Sequence, residues 1–165
     1  MMRYVYLLCG SNMGNRQEYL AKAISLIHDR IGDVEKVSAI YESDAWGEEV
    51  QDDFLNQAVM VKSSLQAEAL LVELKKIEAI LGRTESFRWG PRIIDVDILL
   101  IDTLVYFTDH LQVPHVSLAE RRFALMPLAE IAADLVHPVS GHTIQELLDR
   151  CEDQGSVRLK TSNAA

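Results

Sequence analysis

The sequence predicts an α+β fold, namely a ferredoxin-like βαββαβ core with an antiparallel sheet and helical additions after it. Two observations lead to this prediction. Short apolar runs of strand length alternate with two longer segments whose apolar residues recur every three or four positions. The chain also has 165 residues, 48% of them apolar, which is enough for one sizeable core. We therefore expect a single domain over residues 1–151 and a polar, frayed tail over 152–165.

The predicted elements follow the order strand, helix, strand, strand, helix, strand. Strands are predicted at 4–9, 34–41, 54–62 and 96–101, and helices around 20–31 and 67–81. The second helix ends before Gly82, a residue type common just after a helix. Beyond the core we expect a short strand within 104–107. Two capping-box patterns, Ser117 with Glu120 and Thr143 with Glu146, predict small helices near the C-terminus.

Charge and composition argue against several classes of partner. Lys and Arg total 16 against 25 Asp and Glu, and the formal net charge of −9 argues against a nucleic acid or an anionic membrane surface. No apolar stretch approaches the roughly 20 residues that cross a bilayer. The two cysteines, Cys9 and Cys151, form no CxxC pattern, and the N-terminus shows no signal segment, so we expect a cytoplasmic protein. No obligate protein partner is indicated.

The segment 88–100, RWGPRIIDVDILL, places two aspartates in an apolar strand. Asp95 and Asp97 are two positions apart, so their side chains share one face, with Cα atoms roughly 6.6 Å apart. Two carboxylates at this spacing suit a hard cation such as Mg²⁺, whose other ligands come from phosphate and water. Two solvated aspartates at a strand end are equally compatible with the spacing alone.

All basic residues between positions 83 and 122, apart from histidine, are arginines. They are Arg83, Arg88, Arg92, Arg121 and Arg122. The planar guanidinium binds phosphate through two hydrogen bonds, so this group of arginines near two aspartates favours a polyphosphate ligand. Any one of them alone is more typical of a surface ion pair. The sequence has no GxxxxGK[ST] loop, no protein-kinase signature, no zinc-ligand spacing and no nucleophile elbow.

Taken together, these motifs resemble those of the 6-hydroxymethyl-7,8-dihydropterin pyrophosphokinases. The matching residues are RWGPRxxDxDI at 88–98, Gly10-Ser11-Asn12, Leu55-Asn56, Glu78 with Gly82-Arg83, Val113-Pro114-His115, and Arg121 with Phe123. The resemblance extends over most of the chain. It implies an enzyme of folate biosynthesis that transfers the β,γ-pyrophosphoryl group of ATP to the pterin hydroxymethyl group and releases AMP, with Mg²⁺ as cofactor.

The resemblance also implies roles for individual residues. Asp95 and Asp97 are expected to bind two Mg²⁺ ions, and Arg83 and Arg92 to stabilise the transferred phosphate. The residues expected near the nucleotide are Leu71, Glu78, Arg83, Trp89, Arg92, Ile98, His115 and Arg121. Leu71 and Ile98 are equally compatible with an ordinary place in the core. We also expect residues 82–91 to form a lid that closes over ATP, with Trp89 reporting its closure.

On the pterin side, the residues implied are Ser43, Asp44, Trp46, Asn56, Asp95 and Phe123. The Asn56 amide can donate and accept, as the edge of a pterin requires, while Trp46 and Phe123 offer flat faces for stacking. The chain departs from the family pattern at three places: SDAWG at 43–47 stands for a proline-containing loop, Val116 for an aromatic residue, and TESF at 84–87 for a more basic loop. These departures concern the loops and leave the expected metal and phosphate residues intact.

Two other functions stay open at this point. A phosphohydrolase that uses two metal ions and water would need the same aspartates and arginines. A non-catalytic ferredoxin-like sensor of small molecules would need a pocket but would have no use for Arg83, Arg92 and the two aspartates together. Incubation with ATP, Mg²⁺ and the pterin separates the three functions by their products.

Overall fold

The computed structural model describes residues 1–45, 51–83 and 91–160. The core elements are β1 (Arg3–Ser11), α1 (Arg16–Arg30), β2 (Asp33–Val37), β3 (Tyr41–Ser43), β4 (Phe54–Ser63), α2 (Ala67–Ile80) and β5 (Asp95–Ile101). They are followed by β6 (Tyr106–Phe107), β7 (Gln112–Val113), a 3₁₀ turn at Leu118–Glu120, α3 (Arg122–Ala132), α4 (Ile144–Arg150) and β8 (Val157–Leu159). The predicted α+β core with helical additions is confirmed.

The main sheet is antiparallel, with strands in the order β5-β1-β4-β3-β8 and with β2 also paired to β4. Helices α1 and α2 cover one face through apolar residues such as Leu20, Ile27 and Leu74. Helices α3 and α4 cover part of the other face, where Leu125 and Leu128 are buried. Strand β1 lies between both layers, which explains why it is apolar without alternation.

Two local predictions about helix ends have different outcomes. The capping box at Thr143 is present, since its hydroxyl accepts from the Glu146 N–H at 3.1 Å and the Glu146 carboxylate accepts in return. The capping box at Ser117 is wrong, because the Ser117 side chain makes no capping hydrogen bond and the segment is a single 3₁₀ turn. The Ser117 N–H instead donates to Nδ1 of His115 at 3.1 Å.

The predicted strand 34–41 is divided into β2 and β3. Ser38 causes the division, because its hydroxyl accepts from the Ala58 N–H at 2.9 Å and thereby takes the place of a strand carbonyl. Its own carbonyl accepts from the Gln57 side chain at 2.8 Å. Residues 38–40 belong to neither strand, and the chain resumes as β3 at Tyr41.

The C-terminal tail also differs from the prediction. Residues 157–159, expected to fray, form β8 and pair with β3. The polar composition of the tail led to the wrong prediction, because Arg158 forms ion pairs with Glu42 and Asp53 at the sheet edge. Among the described helices, none combines the length and the apolar character needed to span a bilayer.

Candidate functional site

Three strands bring the candidate site residues into one row across the sheet. In the strand register Gly10 on β1 faces Asn56 on β4 on one side and Asp95 on β5 on the other. Neighbouring strands are about 4.8 Å apart, so the backbones of Asn56 and Asp95 lie roughly 10 Å from each other. Gly10 has no side chain between them. The row therefore leaves an open floor between an amide and a carboxylate.

A cavity lies over this row, on the face that α3 partly covers. Of the described residues, those lining it are Leu8, Gly10, Ser43, Asp44, Phe54, Asn56, Arg92, Asp95, Asp97, Arg121 and Phe123. Eight of the residues predicted from the sequence are in that set. Residues from β1, β3, β4, β5 and the start of α3 thus converge on one cavity although they are far apart in the chain.

The two aspartates lie within the first three residues of β5 and line the cavity, and both are half-buried. Burial, followed by the charge of Asp95, raises the pKa of Asp97 to about 7, while Arg121 acts in the opposite direction. A carboxylate pair with this mutual repulsion is a suitable donor set for a divalent cation. No group of three or more His, Cys, Asp or Glu ligands is found in the described part of the chain. The described residues thus provide two carboxylate ligands for a metal ion. This number is common for Mg²⁺ that is bound together with phosphates.

Arg83 contacts Asp95 instead of lining the cavity. Its guanidinium lies 2.9 Å from Oδ1 of Asp95 and 2.9 Å from Oε2 of Glu78. Glu78 is 2% exposed, and its carboxylate also accepts from the Val96 N–H at 2.8 Å. Burial raises the pKa of Glu78. Glu78 thus fixes the start of β5 against the end of α2, and Arg83 joins this contact to the carboxylate pair.

The remaining described residues predicted near the nucleotide fall into three groups. Arg92 and Arg121 line the cavity, whereas Leu71 and Ile98 pack in the core between the sheet and α2. His115 is half-buried, and burial lowers its pKa to about 4, with Arg121 as the second cause. Its Nδ1 accepts from the Ser117 N–H, so the neutral ring carries its proton on Nε2. His115 can therefore donate one hydrogen bond without carrying a charge.

Two of the pterin-side residues predicted from the sequence, Asn56 and Ser43, are joined by a hydrogen bond. The Asn56 amide nitrogen donates to Oγ of Ser43 at 2.8 Å and to the Tyr41 carbonyl at 3.3 Å, so it ties β4 to β3. Asn56 is only 3% exposed. Phe123 lies at the start of α3, with the Arg121 guanidinium 5.7 Å from the centre of its ring. Trp46, Trp89 and most of the predicted lid at 82–91 lie outside the described residues.

The comparison with known proteins decides the family. The sequence profile of 7,8-dihydro-6-hydroxymethylpterin-pyrophosphokinase (HPPK) matches residues 6–133. The 2-amino-4-hydroxy-6-hydroxymethyldihydropteridine pyrophosphokinase of Aquifex aeolicus is 45% identical over 145 residues, which are 88% of this chain and 90% of that protein. The chain belongs to the HPPK family. The enzyme of the same name from Bacillus subtilis is also 45% identical, over 88% of this chain and 89% of its own length.

Solved structures agree with the HPPK fold. The crystal structure of a Plasmodium falciparum HPPK-DHPS triple mutant superposes with a TM-score of 0.76 over 91% of this chain and 43% of that chain, at 18% identity. At this identity the likeness shows the fold alone. It is the fold that the sequence predicted.

Two residues of the candidate site received no role of their own in the sequence analysis, although Asn12 belongs to the matching Gly10-Ser11-Asn12 motif. Phe54 lines the cavity and lies two positions before Asn56 on β4, so strand alternation could have identified it as a second aromatic face. Asn12 is 2% exposed, and its Oδ1 accepts from the Arg92 N–H at 2.7 Å. Its amide nitrogen donates to Gln51 and to the Asp52 carbonyl. Asn12 thus fixes Arg92, and no local signal predicts such a distant partner.

Proposed function

We propose that this protein transfers pyrophosphate from ATP to the hydroxymethyl group of 6-hydroxymethyl-7,8-dihydropterin, with Mg²⁺, and releases AMP in folate biosynthesis. The observation that carries the proposal is the row of Asn56, Gly10 and Asp95 across three strands. A flat bicyclic ring with a hydroxymethyl arm fits a span of roughly 10 Å between an amide and a carboxylate. Family membership supports the same reaction.

In this proposal the pterin lies between the aromatic rings and the amide. Phe54 and Phe123 flank the cavity from β4 and α3, where they can contact the two faces of the ring. Oδ1 of the buried Asn56 amide presents an acceptor to its edge, since the amide nitrogen already donates to Ser43 and to the Tyr41 carbonyl. The backbone of Ser43 and Asp44 completes this edge of the proposed site. The hydroxymethyl group is then directed along Gly10 toward the two aspartates.

On the phosphate side of the cavity, two arginines lie beside the two aspartates. Arg92 and Arg121 line the cavity and can neutralise the phosphoryl oxygens, and the Nε2–H of His115 can add a neutral donor. Asp95 and Asp97 would hold Mg²⁺, which when bound neutralises the triphosphate and polarises its β-phosphorus. The hydroxymethyl oxygen bonds to that phosphorus and loses its proton, while the bond to the α-phosphate oxygen breaks and AMP leaves.

Incubation of the protein with ATP, Mg²⁺ and the pterin tests the proposal directly. We expect AMP and the pterin diphosphate in equal amounts, and no AMP when the pterin is omitted. Release of phosphate without the pterin would support the phosphohydrolase instead. Pterin binding without turnover of ATP would support the sensor. The Asp97→Asn variant serves as the matched inactive control because it keeps the side-chain volume and removes the charge.

The compartment and the partners are also proposals. We propose that the protein functions in the cytoplasm, supported by Cys9 and Cys151, which are both unpaired. Cys9 is buried in the core, and burial raises the pKa of its thiol to about 12. ATP and the pterin are the proposed binding partners, without an obligate protein partner.

A further inference from the structure

The C-terminal segment 151–160 is anchored at its beginning to the start of α3. The Arg122 N–H donates to Oδ2 of Asp153 at 3.0 Å, and its guanidinium donates to the Asp153 carbonyl at 3.2 Å and to the Cys151 carbonyl at 2.9 Å. Arg122 directly precedes Phe123, one of the rings that line the cavity. The first anchor is therefore next to an aromatic wall of the candidate pterin site.

The other end of the segment is anchored to β3. Strand β8 pairs with β3 so that Val157 faces Ser43 and Arg158 faces Glu42. The Asp44 N–H donates to the Ser156 carbonyl at 3.4 Å, and the Asp44 carboxylate accepts from the Ser156 N–H at 3.3 Å. Ser43 and Asp44 line the cavity as well. The second anchor thus lies directly behind the backbone proposed to bind the pterin edge.

Arg158 forms ion pairs with three carboxylates at this second anchor. Its guanidinium lies 3.3 Å from the Glu42 carboxylate and 3.6 Å from that of Asp44, and it donates to the Asp53 carboxylate. These three acidic residues belong to β3, to the residue after it and to the residue before β4. Glu42 also pairs with Arg16 at 3.1 Å, whereas the described ion pairs of Asp44 and Asp53 are with Arg158. Loss of Arg158 would therefore leave Asp44 and Asp53 uncompensated, and their repulsion would push the end of β3 away from the start of β4 beside the candidate pterin site.

A second cavity lies between the two anchors and shares a wall with the first. One side consists of Ser43, Asp44, Ala45 and Phe123, and the other of Asp153, Gly155, Ser156 and Val157. Ser43, Asp44 and Phe123 line both cavities. These three residues therefore form a thin wall, with the candidate pterin site on one side and the C-terminal segment on the other.

We propose that the C-terminal segment is a positioning element for the pterin. It fixes the wall of Ser43, Asp44 and Phe123 from behind, and Arg158 is its principal positioning residue. The proposal rests on the proposed function. Strand β3 has only three residues, so pairing with β4 alone would leave it as a short edge strand, and β8 supplies the second neighbour. Asp95 and Asp97, proposed to hold Mg²⁺, lie on β5 at the opposite edge of the sheet from β8.

The test compares Arg158→Ala with Arg158→Lys and with Arg150→Ala in the full chain. Arg150 is exposed at the end of α4 and contacts His142, so its replacement controls for the loss of a surface arginine. We expect Arg158→Ala to raise the KM for the pterin roughly tenfold, because small misplacements of a binding group are costly, and to leave the KM for ATP within about twofold. Arg158→Lys should restore most of the pterin KM, since an ammonium group can also neutralise the carboxylates.

Amide hydrogen exchange of the unliganded variants gives a second measurement that does not depend on activity. Exchange at Asp44 should be faster in Arg158→Ala than in the wild type and unchanged in Arg150→Ala. An unchanged pterin KM, or an equal rise in both KM values together with a lower Tm, would overturn the proposal. If the wild type produced no pterin diphosphate, the proposed function would fail by itself. Exchange would then decide the inference alone: faster exchange at Asp44 would support positioning, and equal rates would contradict it.

Discussion

Asp95 and Asp97 share one face of β5 but have different electrostatic surroundings. The Arg83 guanidinium lies 2.9 Å from Asp95, so this carboxylate already has a cationic partner within the protein. Asp97 has a pKa of about 7, raised chiefly by burial and then by the charge of Asp95. The cost of keeping two like charges together therefore falls mainly on Asp97.

Replacement of either aspartate by alanine is the first prediction. Asp95→Ala and Asp97→Ala should each lower pterin-dependent AMP formation by roughly two orders of magnitude or more, because the proposed metal site loses a ligand. In the absence of Mg²⁺ the Tm of Asp97→Ala should hold or rise, since repulsion is relieved. Asp95→Ala should gain less because it also removes the Arg83 ion pair. Full activity in either variant would contradict the metal assignment.

The second prediction concerns Asn56, whose replacement should affect the affinity for the pterin more than the affinity for the nucleotide. Asn56→Ala should weaken pterin binding by about 1 to 3 kcal/mol, because a polar group on the pterin edge loses its hydrogen-bond partner. Binding of a non-hydrolysable ATP analogue should change much less. Titration calorimetry with each ligand measures both affinities.

Gln57→Ala is the matched control for this prediction, since Gln57 is adjacent on β4 and donates to the Ser38 carbonyl instead. Both variants lose an amide that ties β4 to its neighbour. A general effect of a weaker sheet would therefore appear in both. Equal losses of affinity for the pterin and the nucleotide in Asn56→Ala would mean that the amide does not belong to the pterin site.

His115 gives the third prediction, which concerns the pH dependence of stability. Its pKa falls from 6.5 to about 4 on folding, so the unfolded chain binds the extra proton more readily between these values. The stabilisation from neutral His115 is present above pH 6.5 and is lost as the pH falls to about 4, by up to about 3 kcal/mol. Denaturant unfolding of the wild type and of His115→Gln across this range measures the difference. A constant difference at all pH values would exclude burial of the neutral ring.

At the scale of elements, the agreement between sequence and structure depends on how local the determining contacts are. The helix α2 ends as predicted, with Gly82 at φ 94°, because the apolar spacing and the glycine are adjacent in the chain. The break at Ser38 and the strand β8 were missed. Both depend on partners far away in sequence, namely Ala58 for Ser38 and Glu42 for Arg158. Composition alone makes such segments resemble an unbroken strand and a solvated tail.

The row across β4, β1 and β5 leads to a fourth prediction, at Gly10. A Cβ at this position would lie 3.7 Å from Oδ1 of Asn56 and 3.7 Å from Cδ1 of Phe54, which are ordinary contacts. Gly10→Ala should therefore fold normally and keep or slightly raise the Tm. The methyl group would enter the floor of the cavity, and pterin-dependent turnover should fall by roughly tenfold.

Gly32→Ala is the contrasting control for Gly10, since its Cβ would lie 2.1 Å from the Lys62 carbonyl oxygen. This variant should lose stability by roughly 2 kcal/mol or more because backbone has to move. Thermal unfolding and the coupled AMP assay measure both properties. A Gly10→Ala enzyme with unchanged turnover would show that the pterin does not pass over the floor of the row.

For the whole molecule, the site combines residues that the sequence could identify with contacts that it could not. Asp95, Asp97 and Arg92 were identifiable because their types and spacing are unusual in an apolar strand and its flank, and Arg121 through the resemblance to the family. The contact of Arg83 with Asp95 and Glu78, by contrast, depends on how the end of α2 meets the start of β5. Several residues of the candidate site could therefore be selected from the sequence, while the pairing of their charges required the fold.

The net charge of −9 should make nucleotide binding depend on a divalent cation. A triphosphate approaches an acidic protein whose candidate site contains two carboxylates beside Arg92 and Arg121. Without a divalent cation, those carboxylates repel the phosphates that the arginines attract. A bound Mg²⁺ would remove the repulsion between carboxylates and phosphates, so we expect nucleotide affinity to depend on the metal far more strongly than arginine contacts alone would require.

Thermal shifts with a non-hydrolysable ATP analogue give the last prediction. At about 100 times its Kd the analogue with Mg²⁺ should stabilise the fold by about 2.7 kcal/mol, or roughly 5 to 10 °C for a domain of this size. With EDTA in place of Mg²⁺ most of the shift should vanish. In Asp95→Asn with Asp97→Asn the shift should become nearly independent of Mg²⁺, because neutral amides neither hold the metal nor repel the phosphates. An equal shift with and without Mg²⁺ in the wild type would mean that the nucleotide binds through the arginines alone.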